Sequence, residues 1–167
     1  LQNCPEEHIK VAGISVLGVN GIKSRIKIPA YGKYLRRLIL KNRLEGKVRV
    51  LGNLSAEEMK REYLSAQIFV CPSAVENSPN SVAEGQLLGV PVAASRTGGI
   101  PDVVKDGVSG LLFEKGNVHE LAACVSRILT DKQLAKELSA SERETAAKLY
   151  NGENNYQKLI EIYQSIE

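Results

Sequence analysis

Histidine and cysteine are scarce in this chain: two histidines, and three cysteines at Cys4, Cys71 and Cys124, with no CxxC pair. A set so thin and scattered argues against a dedicated zinc site, and dispersed thiols are expected to stay reduced, as in the cytosol. No apolar run approaches the roughly 18–20 residues of a membrane-spanning helix, and the opening LQNCPEEHIKVAG has no secretory-signal pattern. The phosphate-loop pattern G-x-x-x-x-G-K-[ST] is missing, and no G-x-G-x-x-G follows the first strand-like run. Both absences count against an ATPase and an ordinary dinucleotide dehydrogenase. Internal repeats and low-complexity linkers are lacking too. So is an initiating methionine, and the expectation is a piece of something longer, beginning just before a strand.

What is present is ordinary for a globular protein. Hydrophobic residues make up 43% and charged residues 25% of 167 positions, enough for one domain with a full core over 1–167. The net charge of +3 is unevenly placed. Lys33, Arg36, Arg37, Lys41, Arg43, Lys47 and Arg49 have only Glu45 among them. Such a run is a solvated helix face, or a contact for anionic lipid headgroups or an acidic partner. Nucleic acid is not expected, because no aromatic residues interleave the charges.

Continuous apolar runs of strand length recur at 9–18, 47–52, 67–73, 90–95 and 110–113. They do not alternate with polar residues, so both faces are expected to be covered, as in a parallel sheet. Helical patterns lie between them. YGKYLRRLILKNRL puts Leu35, Leu38 and Ile39 on one face. SAEEMKREYLSA opens with Ser55 and Glu58 at capping-box spacing and should bury Met59, Tyr63 and Ala66. NVHELAACVSRILT carries Val118, Leu121, Ala122, Val125, Ile128 and Leu129 at the 3.6 period. The alternation predicts an α/β fold: a three-layer, Rossmann-like, doubly wound parallel sheet. From Asp131 to Glu167 the pattern is helical only, with a break near NGENN at 151–155 and a stripe of Tyr156, Leu159, Ile160 and Tyr163. That stripe is expected to pack on the sheet or to reach a neighbouring domain.

Open α/β sheets bind ligands beyond the carboxyl ends of their strands. GVNG, GNL, the segment Ser73–Ser81 and RTGGIPD follow successive strands here. In the third of these, Ser78 and Pro79 read as a helix N-cap and first helical residue. The amides of Asn80 and Ser81 would then form a seat for a phosphate or sugar oxygen. Glu84 lies a turn deeper on the face of Asn80, and loop Glu76 would flank the seat from the other side. A carboxylate accepts paired hydrogen bonds from vicinal hydroxyls, so the pair suits a ligand with hydroxyls at both ends and phosphate between. Each glutamate alone is also what a solvated loop or a favoured helix dipole would carry. Gly98 and Gly99 allow a backbone to approach closely, or simply form a turn before the short helix PDVVKD.

The run PSAVENSPNSVAEGQLLGVPVAASRTGGIPDVVKDGVSGLLF resembles the signature of retaining nucleotide-sugar glycosyltransferases of the GT-B fold, family 4 or group 1. LEGKVRVLGNLSAEEM and GNVHELAACVSRILTD are similar to its flanking parts. The resemblance covers nearly the whole chain and implies the C-terminal, donor-binding domain, with acceptor selection in an N-terminal domain. It implies that Glu76 contacts the donor sugar and supports the transition state, and that Glu84 binds the ribose hydroxyls. Ser78, Asn80, Ser81, Gly98 and Gly99 would face sugar and diphosphate, and Asn53 and Leu54 the base. It implies a nucleotide-sugar donor, no metal or other cofactor, and an acceptor glycan or glycolipid. The expected location is cytoplasmic, with the basic run allowing peripheral contact at the inner face of a membrane.

The sequence departs from the family in two places. The family's small, hydrophobic Gly-Phe-Gly-Leu stretch is here Asn77-Ser78-Pro79-Asn80, and proline offers no amide at position 79. The strand and loop that bear the diphosphate-neutralising arginine and lysine are expected to precede this chain, and Arg96 does not replace them. The implied reaction is transfer with retention, driven by stabilising the leaving phosphate and by positioning. Alone, the 167 residues are expected to bind nucleotide weakly and to catalyse nothing. A non-catalytic α/β nucleotide-binding module, or another GT-B enzyme such as an epimerase or phosphorylase, remains open on these residues.

Overall fold

The computed structural model describes residues 9–12 and 30–166. They belong to two compact units, one up to Lys60 and one from Arg61. In the first, β1 (Ile9–Ala12) pairs in parallel with β2 (Val48–Gly52), Ile9 beside Val48 and Val11 beside Val50. The remainder of the predicted first strand, and the GVNG segment, lie outside the described residues. α1 (Ala30–Lys41) connects the two strands with Leu35, Leu38 and Ile39 half-buried along one side. Ahead of α2 (Ala56–Ser65), the predicted capping box is present. The Ser55 amide and hydroxyl donate to Glu58 at 2.8 and 2.7 Å. These bonds satisfy helix-start donors that would otherwise have no intrahelical partner.

The second unit holds a parallel sheet ordered β3 (Phe69–Cys71), β4 (Val92–Ser95), β5 (Leu111–Phe113). All residues of β4 and β5 are buried. Side chains of a strand alternate between faces, and the core divides accordingly. Val92, Ala94 and Leu112 join Cys71, Val82, Ile100 and Val104 on one face. Ala93, Leu111 and Phe113 join Ile128 and Leu138 on the other. The first layer comes from α3 (Asn80–Leu88) and α4 (Ile100–Val103), the second from α5 (Val118–Thr130) and α6 (Lys132–Leu149). This is the three-layer, doubly wound α/β arrangement that the sequence predicts.

Details differ at the helix margins. Tyr63 is buried and Met59 half-buried, but α2 stops at Ser65 and leaves Ala66 exposed. In α5 only Ile128 is fully buried; Val118 and Ala122 are exposed. Val118 is the first helical residue after the Asn117 cap, whose side chain accepts from the His119 and Glu120 amides, so it stands at the solvated end. α7 (Gly152–Gln164) follows the predicted break, but none of its residues is buried, and Tyr156, Leu159 and Tyr163 face solvent rather than the sheet.

α6 is tied to the far end of α3. Ser139 donates through its hydroxyl to the Gly89 carbonyl at 2.7 Å, and Arg143 donates through Nη2 to the Leu88 carbonyl at 2.9 Å. Glu142, wholly buried, accepts the Val92 amide on Oε1 at 2.9 Å. Its Oε2 has no partner among the described residues. Burial drives this acid up to about 8, against a smaller downward pull from the Val92 amide. A carboxyl with a folded pKa above its unfolded value of 4.5 stabilises the fold in the protonated form. That stability is complete below the unfolded pKa and is lost as pH rises through about 8. Glu142→Gln should therefore flatten the decline of stability between these limits, a difference on the order of a few kcal/mol. Urea denaturation of both proteins across that pH range measures it, and parallel curves would show that Glu142 does not titrate in the fold.

Candidate functional site

β3 carries the chain to the sheet's rim at Cys71, and residues 72–79 follow without regular structure. Three hydrogen bonds from the β4–α4 connection hold that segment. The Ser95 hydroxyl donates to the Ser73 carbonyl at 2.6 Å and the Thr97 hydroxyl to the Ala74 carbonyl at 3.3 Å. The Gly99 amide donates to the Glu76 carbonyl at 3.2 Å. Contact between the segments that follow β3 and β4 thus continues past the end of the ladder, through two hydroxyls and one backbone amide.

The glycine pair makes this approach feasible. Gly98 has φ +51°, and a Cβ there would fall on the Glu76 carbonyl; one on Gly99 would meet the Asn77 carbonyl. The closeness expected of these glycines is thus realised against the backbone that carries Glu76. Glu76 itself is half-buried, and its carboxylate has no hydrogen-bond or ion-pair partner among the described residues.

The start of α3 differs from the predicted cap. Ser78 makes no side-chain cap; the N-cap position falls to Pro79, at φ −78° and ψ 83°. That backbone is an inverse γ-turn, closed by the Asn80 amide donating to the Ser78 carbonyl at 2.9 Å. The Pro79 carbonyl accepts from both Val82 and Ala83, so the helix begins one residue later than expected. As a result the Asn80 amide is engaged within the turn. The Ser81 amide has no acceptor among the described residues, and the exposed Asn80 contributes a side chain instead.

Glu84 lies one turn on from Asn80, and both are exposed, while Val82, Gly85 and Gln86 form the buried side of α3. Gln86 fixes the helix by donating through Nε2 to the Val103 and Ser109 carbonyls at 3.0 and 3.2 Å. A residue read from the sequence only as core also belongs to this neighbourhood. The buried Tyr63 hydroxyl donates to the Ser81 carbonyl at 2.9 Å, with the Glu84 carboxylate beside it as a second acceptor. Burial first, and Glu84 next, push this phenol above its ordinary range. Nothing in the spacing of α2 distinguishes a tyrosine that bonds a neighbouring helix from one that only fills space. Ser95, closing an apolar strand with a hydroxyl, was the more legible signal.

Arg96 is engaged elsewhere, by Asp106 and Glu114 at 3.0 Å each. Asn53, exposed, and Leu54, half-buried, lie in the first unit between β2 and the Ser55 cap. Among the described residues no three His, Cys, Asp or Glu side chains gather as a metal site would require.

A family model described as glycosyl transferases group 1 matches residues 11–145, well over half of the sequence. The chain belongs to this family. Among curated members, sulfoquinovosyl transferase SQD2 of Arabidopsis thaliana is 33% identical over 100 residues, 58% of this chain and 20% of that protein. D-inositol 3-phosphate glycosyltransferase of Corynebacterium urealyticum is 32% identical over 119 residues, 71% of this chain and 28% of that protein. The chain thus spans between 20% and 45% of the length of the first curated relatives it matches. Among solved structures, Anabaena Alr3699/HepE in complex with UDP has the same fold. It superposes with a TM-score of 0.81 at 23% identity over 98% of this chain and 42% of that one.

Three changes test how segment 73–79 and the helix after it are held together. Gly98→Ala should cost about 2 kcal/mol or more, since it needs both a left-handed backbone and space occupied by a carbonyl. Gly46→Ala, with nothing within 4 Å of its added carbon, should stay within about 0.5 kcal/mol. Equal urea midpoints for the two would remove the glycine pair from this account. Tyr63→Phe, which deletes the bond to Ser81, should cost about 1 kcal/mol in the same measurement.

Proposed function

We propose that this chain is the donor-binding part of a retaining glycosyltransferase that uses a nucleotide-diphosphate sugar. The observation that carries the reading is the tethered segment 73–79. It places a half-buried, unpaired Glu76 directly ahead of a helix whose Ser81 amide is open and whose exposed side carries Asn80 and Glu84. An open amide at a helix start favours a diphosphate oxygen. Glu84 accepts the two ribose hydroxyls. Glu76 faces the sugar, where its negative charge stabilises the oxocarbenium character that develops as the diphosphate leaves. Ser78 and Asn80 supply side-chain contacts in place of the amide that Pro79 lacks, while Gly98 and Gly99 hold the loop beneath the sugar. The acceptor, a glycan or glycolipid, then attacks the face that the diphosphate leaves, which preserves configuration. Anabaena Alr3699/HepE has been solved with UDP and with UDP-glucose, which supports a nucleotide-sugar donor here.

Ligand-detected NMR with a panel of nucleoside diphosphates and their sugars tests this directly. One nucleoside diphosphate should bind the 167-residue chain, and Glu84→Gln should weaken it about tenfold or more, the worth of hydrogen bonds to a charged acceptor. Glu76→Gln should leave the bare diphosphate unaffected but lower transfer by a longer, active form of the protein about a hundredfold or more. The 167 residues alone should transfer no sugar. Unchanged transfer after Glu76→Gln would remove Glu76 from the reaction, donor binding with no transfer by any longer form would favour a binding module, and donor isomerisation without acceptor would favour an epimerase.

A further inference from the structure

We propose that α1 and the turn that follows it form a surface that docks on an anionic lipid bilayer. The inference is independent of the donor site. Successive residues of an α-helix are offset by about 100°. On that wheel Lys33, Arg36, Arg37 and Lys41 occupy one side of α1, all exposed, and Leu40 lies in their midst. Leu35, Leu38 and Ile39, all half-buried, occupy the opposite side. Leu40 is 51% exposed, and Tyr34, at the margin of the basic side, is 56% exposed.

The charge does not end with the helix. Arg43 and Lys47 follow it, both exposed, in a turn opened by Arg43 at φ 54°. In the sequence, 10 of the 22 basic residues fall between Lys23 and Arg49, and Glu45 is the only acid there. The rest of the chain is net acidic. A modest overall charge therefore conceals a strongly basic segment.

An exposed leucine ringed by cations is unfavourable in water and gives nothing to a purely ionic partner. At a lipid surface both features act together. The cations meet the headgroup charge, each raising affinity about fivefold near such a surface, and the leucine enters the acyl boundary. Long lysine and arginine side chains keep their charges at headgroup level while their stems cover apolar surface. An RNA or a sulfated polysaccharide would use the charges and draw nothing from Leu40. Among the described residues no helix is long and apolar enough to cross a membrane, so the contact described is one of lying on the surface.

Sedimentation of the full chain with vesicles tests the proposal, comparing phosphatidylcholine alone with a mixture containing about 30% phosphatidylglycerol at about 0.1 M salt. The chain should pellet with the anionic vesicles only and be released at about 0.5 M salt. Reversing three charges together, Arg36→Glu, Arg37→Glu and Lys41→Glu, should weaken binding at least about a hundredfold. Leu40→Ser, which keeps every charge, should weaken it roughly tenfold. Circular dichroism checks the fold of each variant. Should the triple variant unfold, Lys33→Ser with Arg37→Ser replaces it, with a loss of about tenfold or more expected. Failure to pellet, equal binding to neutral vesicles, or undiminished binding by a folded charge variant would overturn the proposal. Binding to heparin as tight as to vesicles and indifferent to Leu40→Ser would also overturn it, and would assign the surface to an acidic macromolecule.

Discussion

Hydrogen bonds from Ser95, Thr97 and Gly99 to the carbonyls of Ser73, Ala74 and Glu76 give this site a defined shape. A loop of small polar residues has many conformations, and ordering each residue costs about 1–2 kcal/mol of entropy. Three bonds and two closely packed glycines do not cancel that cost in full. They do select one path for the chain. Along that path the Glu76 side chain leaves a backbone fixed by the sheet instead of one adrift in solvent. A catalytic or binding carboxylate gains from such fixing, because a group already in position has less freedom left to lose when a ligand arrives.

Both sides of the sheet contribute to the neighbouring helix. α3 is held from within by Gln86, which bonds the end of α4 and the turn before β5. It is held at its carboxyl end by Ser139 and Arg143 of α6. Near its start, Tyr63 bonds the Ser81 carbonyl. The bonds to Leu88 and Gly89 meet carbonyls at the helix end, which has no further turn to use them, while the Tyr63 bond adds a second donor to a carbonyl already within the helix. Glu76 takes no part in these contacts, and among the described residues Glu84 meets only the Tyr63 hydroxyl while staying exposed.

Much of this was legible beforehand, for identifiable reasons. Continuous apolar runs marked β4 and β5 because strands buried on both faces leave no room for polar alternation. The capping box at Ser55 and Glu58 was readable because its bonds are local and its spacing is fixed. The cap at Ser78 was misread because the usual Ser-Pro signal competes with another local option: proline's φ also suits an inverse γ-turn, and that turn takes the Asn80 amide. Val118 and Ala122 keep the helical period yet stand exposed, because the period reports which side faces inward but not how far the covering sheet extends. The partners of Ser95, Thr97 and Tyr63 could not be read, since each reaches a carbonyl 18 to 23 positions away.

α6 lies beyond the last strand, in the stretch whose pattern is helical only, and it contributes Leu138 to the core and Glu142 to the start of the central strand. The smallest autonomous piece of this fold therefore cannot end where strand–helix alternation stops, near Asp131. A gene shortened to that point would encode a sheet wet on one flank, with the Val92 amide deprived of its acceptor. Domain boundaries drawn for swapping parts between relatives should accordingly fall after Ala146, in the short connection before α7.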